Sequence, residues 1–175
     1  REVSPHQASI FYACDRYDAS FKIRAFLKEG TTVVCDRYTG SMAHQGGKIK
    51  SHHGRKEFFR WVYKLEYGIF NIPQPDISII LKTSPETSLR LADSGSIFDE
   101  KKLARRKAYL GEKNKDIHEK DLAHLKAALD AYLQLAKEFP RSFKVVECIK
   151  DGDLLSPEII HEKIWAEVKN VLITN

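Results

Sequence analysis

The sequence predicts an α/β domain of three layers, α/β/α, around a parallel sheet, and three observations carry that expectation. The stretches "TTVVCD" (31–36), "DISIILK" (76–82) and "FKVVECI" (143–149) are apolar or β-branched at consecutive positions, the pattern of strands covered on both faces. Segments with apolar residues at helical spacing separate these runs. Strands alternating with helices imply parallel pairing through crossovers, with helices on both faces of the sheet. Ligands of such sheets sit beyond the C-terminal ends of the strands, which points at Asp36 and Arg37.

Taken in order, Ile10, Ala13, Cys14, Tyr17, Phe21, Ala25 and Phe26 mark a helix over about 6–29, with Gly30 as its stop. After the first strand, "TGSMAHQGGKIKSHHG" (39–54) is small, polar and Gly-rich and reads as a loop. Helical spacing resumes at Phe58, Phe59, Val62, Leu65, Tyr67, Ile69 and Phe70 and stops before the prolines of "NIPQPD". Ser84 and Pro85 open a helix after the second strand, and Ser156 and Pro157 open the last one. Residues 93–118 are charged and poor in core residues. Leu122, Leu125, Leu129, Leu133 and Ala136 form the stripe of a helix over about 118–138.

The totals narrow the function. A chain of 175 residues with 42% hydrophobic content buries one core, so one domain over 1–175 is expected. The formal charge of +5 suits an anionic ligand without demanding one. A nucleic-acid partner is not expected, because neither an aromatic-interleaved strand nor a recognition helix accompanies the basic cluster "KKLARRK" at 101–107. Cys14, Cys35 and Cys148 lack a CxxC pair, which argues against a disulfide framework or a zinc site and for a reducing cytoplasm. No apolar run reaches the roughly 18 residues of a membrane span, and the seven histidines show no metal-ligand pattern.

"CDRYDAS" (14–20) and "CDRYTGS" (35–41) share residues but lie in unlike elements, a helix and a strand end, so they are not a structural repeat. At the strand end, Asp36 offers a carboxylate to Mg²⁺ or to a lysine, and Arg37 offers a fork of donors that matches a phosphate dianion. A structural Asp–Arg pair is the alternative. On the helix, Tyr12 and Arg16 are four apart and share a face, suited to a planar base by stacking and hydrogen bonding; a core aromatic with an amphipathic neighbour is the plainer reading. "HQGGKI" fails the G-x-x-x-x-G-K-[ST] spacing, with Met42 at the first Gly position and Ile49 in place of Ser or Thr, so the chain carries no Walker A motif.

In sequence order, "IFYACDRYD", "VVCDRYTGSMAHQGG", "PQPDISIILK", "SPETSLRL" and "KDIHEKDLAHL" resemble the thymidylate kinase family, in a bacterial or archaeal branch, over nearly the whole chain. The resemblance implies a P-loop kinase fold with a parallel sheet, ATP as co-substrate, Mg²⁺, a cytoplasmic homodimer, and phosphorylation of dTMP to dTDP. By position it implies that Tyr12 stacks on thymine, Arg16 hydrogen-bonds the base, Arg37 holds the dTMP phosphate, and Asp36 helps organise the magnesium and phosphate region. Ser41, His44 and Gln45 match loop positions near the nucleoside, with His44 where many members carry Tyr. Asp116 and Glu119 match a segment after a lid at about 93–115, where Arg105 and Arg106 would reach the transferring phosphoryl group. The loop from Ser41 to Gln45 is one residue shorter than in relatives.

The family's first strand, phosphate-binding loop, following helix and acceptor-side loop have no counterpart in these residues, so the domain is expected to be N-terminally incomplete. The absent strand lies between 31–36 and 76–82 in the family's sheet, so its loss would leave two unpaired inner edges. Two rivals stand beside this reading: another deoxynucleoside or nucleoside monophosphate kinase, and a degenerate nucleotide-binding protein without catalysis.

Overall fold

The computed structural model describes residues 3–94 and 114–174, with side chains for 3–91 and 122–172. Arg105, Arg106 and nearly all of the expected lid lie outside the described residues. Asp116 and Glu119 are described only as helical backbone.

Helix α1 runs Pro5–Lys28. Its start is a capping box: Ser4 Oγ accepts from Gln7 N at 3.2 Å and Gln7 Oε1 accepts from Ser4 N at 3.1 Å. Its end is a left-handed Gly30 (φ 75°), which lets Gly30 N bond Leu27 O and Thr31 N bond Phe26 O, each at 3.0 Å. The face that packs inward carries Ser9, Ala13 and Ser20, with the half-buried Arg16 between them. Ile10, Tyr17 and Phe21, whose spacing marks the helix, are exposed. Small residues on the inner face let α1 lie close to its neighbours, and the large apolar side chains are left outside.

The expected strand at 31–36 forms no strand and pairs with no described neighbour, and Val34 is 92% exposed. Apolar β-branched residues make a strand only where a neighbour supplies hydrogen bonds, and no described strand lies beside this segment. The Gly-rich stretch expected as a loop is largely helical: a single 3₁₀ turn at Thr39–Ser41, then α2 at Met42–Gly46. Burial of Met42 and Ala43 in the core holds this short helix in place.

Helix α3 (His52–Tyr63) is capped by Ser51 Oγ on Gly54 N at 3.0 Å and runs into a π-helical turn, Lys64–Ile69, where Phe70 N bonds Leu65 O at 2.9 Å. The wider turn changes which side chains face inward: Glu66 is fully buried, and Ile69, whose spacing helps mark the helix, is 67% exposed. Strand β1 (Ser78–Lys82) leads to α4 (Pro85–Ser94), capped as expected by Ser84 Oγ on Thr87 N. Helix α5 spans Asn114–Glu138 and strand β2 spans Phe143–Glu147.

Strands β1 and β2 pair in parallel, from Ser78 with Phe143 to Lys82 with Glu147, where Lys82 Nζ and Glu147 Oε2 close the end of the ladder at 2.6 Å. A two-residue turn at Asp151 (φ 52°) and Gly152 (φ 91°) joins β3 (Ile149–Lys150) to β4 (Asp153–Leu154). Helix α6 (Pro157–Thr174) follows, and both α5 and α6 pack against β2. No described helix is long and apolar enough to cross a membrane.

The core gathers Met42, Ala43, Phe58, Phe59, Val62, Ile80, Ala131, Leu135 and Phe143. On α5 the fully buried positions are Ala128, Ala131 and Leu135, displaced around the helix from the leucine stripe that periodicity selects. The displacement has a steric cause. Gly47 touches the α5 backbone so closely that a Cβ there would stand 2.9 Å from Ala128 N and 3.0 Å from Ala128 Cα. At Gly46 a Cβ would meet the Phe59 ring at 2.6 Å. The paired glycines of "HQGGKI" thus serve a helix–helix contact.

Gly47→Ala is therefore expected to lower stability by about 1–3 kcal/mol, through overpacking against backbone that cannot yield. Thermal denaturation checks it: an unchanged or raised melting temperature would contradict so close an approach of α2 to α5.

Candidate functional site

The π turn, α1 and the loop after 31–36 meet at one buried carboxylate. Glu66 Oε1 accepts from Arg16 Nη2 at 2.5 Å and Glu66 Oε2 accepts from Arg16 Nε at 2.7 Å, a bidentate pair whose glutamate side is inaccessible to solvent. Thr39 Oγ1 donates to the same Oε2 at 3.0 Å. Tyr12 lies one turn before Arg16 on α1 and is 52% exposed.

Two residues before Thr39, Arg37 is exposed and sits at φ 63°, in the left-handed region that costs a non-glycine residue about 1–3 kcal/mol. The backbone just after it is tied down on both its side chains. Tyr38 Oη donates to Pro73 O at 3.0 Å, and Thr39 is held by Glu66. Burial, and then the nearby Cys35 and Glu66, push the Tyr38 hydroxyl up to about 12, so it stays a donor across the working pH range. A loop pinned in this way can hold Arg37 outward in a costly conformation.

A second group surrounds the start of α2. His44 Nε2 and His124 Nε2, from α2 and α5, are 3.1 Å apart with their rings edge to face. One nitrogen must donate and the other accept, so the contact requires at least one neutral ring. Burial first, then His124, Arg37 and Lys48, hold His44 below its ordinary value of 6.5. On α5, burial raises the Tyr132 hydroxyl, while Ser41 and then Arg37 oppose that rise. Gln45 is buried, and its Oε1 has no hydrogen-bond partner among the described residues.

Of the residues expected from sequence, Arg16 is drawn into a buried pair, while Arg37, Ser41 and His44 gather around the α2–α5 contact. Asp36 is exposed on the same loop as Arg37. No group of three or more His, Cys, Asp or Glu that could hold a metal occurs among the described residues. Glu66, Thr39, His124 and Tyr132 were not singled out by motif. A lone acid inside the apolar run "WVYKLEYGIF" was the available signal for Glu66, and a histidine within "LAHL" was the signal for His124.

Helices packed on a parallel strand pair make this an α/β domain, the class that includes the P-loop kinase fold. The family model for thymidylate kinase matches residues 1–159. A thymidylate kinase of Thermomicrobium roseum is 27% identical over 95% of this chain and 67% of its own length. A probable thymidylate kinase of Methanocaldococcus jannaschii is 28% identical, covering 97% and 71%. A thymidylate kinase of Geobacter sp. is 30% identical, covering 92% and 64%. The chain belongs to the thymidylate kinase family, and it spans about two thirds of the length of these relatives.

The His44 environment makes a pH prediction. Protonation of His44 is disfavoured in the folded state, so the folded protein binds fewer protons than the unfolded chain. Stability from this site is complete above about 6.5 and is lost progressively as pH falls below it. Followed by NMR, the His44 ring is expected to titrate below 6.5, and His44→Gln should flatten the fall in melting temperature between about pH 7.5 and 5.5. A midpoint at or above 6.5 would contradict it.

Proposed function

We propose that this chain forms the acceptor side of a dTMP kinase, which transfers the γ-phosphoryl group of ATP to dTMP. In this reading Tyr12 stacks on the thymine, Arg16 donates to the base, and Arg37 takes the monophosphate. Ser41, His44 and Gln45 line the nucleoside. The observation that carries it is the bidentate Arg16–Glu66 pair, linked through Thr39 to the loop that presents Arg37. A guanidinium held at one edge is a rigid reader of a planar partner. An exposed arginine in a pinned loop suits a phosphate dianion.

The chemistry asks for positioning and charge neutralisation. The attacking oxygen of the monophosphate is already anionic, so no general base is needed. Arg37 would orient that phosphate for in-line attack and offset the repulsion between it and the donor. Mg²⁺ is commonly bound by one or two carboxylates together with phosphate oxygens, and the exposed Asp36 beside Arg37 fits one such ligand. When bound, the ion would neutralise phosphate charge. No Walker A pattern occurs in these 175 residues, so the ATP polyphosphate is assigned to none of them.

Two finer expectations belong to the same reading. Ile10, Tyr17 and Phe21 leave an exposed apolar stripe along α1, the kind of surface that a second copy of the chain would cover. Phe21→Glu should then shift the protein from dimer to monomer in size-exclusion chromatography with light scattering. The three free cysteines suit a reducing cytoplasm.

Arg37→Ala is expected to weaken dTMP, dUMP and dCMP alike, by roughly 10- to 100-fold, as fits about 1.5–3 kcal/mol for a charged hydrogen bond. Arg16→Ala should instead reduce the preference for dTMP over dCMP. Titration calorimetry with the three monophosphates measures both. Phosphorylation of dCMP without dTMP would replace this reading with that of another nucleoside monophosphate kinase.

A further inference from the structure

We propose that Glu66 is the positioning residue of the acceptor site, and that it couples base recognition by Arg16 to phosphate recognition by Arg37. The inference deepens the reading above and rests on its assignment of Arg16 and Arg37.

Three observations converge. Glu66 is the one fully buried acidic side chain among the described residues, and a buried carboxylate is tolerated only when paired and hydrogen-bonded. Its pairing is selective in geometry. It occupies the Nε–H and one Nη2–H of Arg16, which fixes the plane of the guanidinium and leaves the remaining three N–H groups of the fork for a ligand. The same Oε2 also accepts from Thr39 Oγ1, two residues along the chain from Arg37. One carboxylate thus sets the edge that Arg16 presents and anchors the loop that carries Arg37.

The backbone is arranged to put Glu66 there. A regular α-helical continuation of α3 would give a different inward face. The π turn, with Phe70 N on Leu65 O at 2.9 Å, brings Glu66 inside and turns Ile69 out. Ile72 N then bonds Glu66 O at 3.0 Å, and Arg24 Nη2 of α1 bonds Asn71 O, which clamps the far end of the turn to α1. Such turns are rare in helices and recur at functional sites.

If Glu66 only filled space, its loss would lower stability and the fraction of folded protein without altering which base is preferred. As a positioning residue it acts through Arg16, so its loss changes discrimination. The test uses the intact protein, with dTMP and dCMP binding followed by calorimetry and folding by circular dichroism. Glu66→Gln keeps the shape and removes the charge. It is expected to cut dTMP affinity about tenfold or more, the scale of a charged hydrogen bond, and to move the dTMP:dCMP ratio toward that of Arg16→Ala. In an Arg16→Ala background the same substitution should leave the ratio unchanged.

Thr39→Val, which keeps the Arg16 pair and removes only the link to the loop, should weaken dTMP and dCMP by similar factors of about ten, the scale of a hydrogen bond to a charged group. It also serves if Glu66→Gln does not fold. A folded Glu66→Gln protein with an unaltered ratio, or an effect on the ratio that persists without Arg16, would overturn the positioning role. Unchanged affinities in Thr39→Val would overturn the coupling. An Arg16→Ala protein that keeps the full dTMP preference would overturn the base-reading assignment itself, a result distinct from either of these.

Discussion

A carboxylate with no access to water constrains this protein more than any other single group. Glu66 loses its hydration completely on folding, and that loss is offset only if strong donors surround it. Arg16 supplies two and Thr39 a third. Meeting that demand fixes the rotation of α1, the path of the loop at 37–41 and the position of the turn after α3 at the same time. The elements that would hold a nucleotide are thereby mutually registered before any ligand arrives, which reduces the ordering cost of binding.

The left-handed Arg37 belongs to the same system. An unfavourable φ persists only where the surroundings over-determine it, and here Tyr38 and Thr39, the two residues that follow, are both anchored by side-chain hydrogen bonds. On the other side of the loop, Gly46 and Gly47 allow α2 to approach Phe59 and the α5 backbone closely. That approach brings His44 to His124. Packing in the core and polarity at the site are therefore produced by one set of contacts, and a change to the glycines would be felt in both.

Much of the fold was legible because its signals are local. Caps at Ser84 and Ser156, the stop at Gly30 and the apolar runs of β1 and β2 each act within a few residues, and each stands where it was read. The segment 31–36 was misread for the opposite reason, since strand formation depends on a neighbour and not on the run itself. The stripe on α5 and the apolar spacing on α1 placed the two helices correctly but not their buried faces, because periodicity marks an amphipathic side without saying how closely a neighbour can come. Small residues decided that, with Ser9, Ala13 and Ser20 on α1 and Gly47 against α5.

For the site, the amino-acid sequence by itself determined the family, through the order of its motifs, and with it the identities of Tyr12, Arg16, Asp36, Arg37, Ser41, His44 and Gln45 as residues to watch. Only the tertiary structure decided that Arg16 is held by Glu66 across fifty positions of chain, that Thr39 shares the same oxygen, and that His44 meets His124. The reason is physical: motif spacing reports residues whose neighbours are close in sequence. A π turn, a buried ion pair and a contact between two helices depend on which distant groups arrive at the same point and on what their burial then requires.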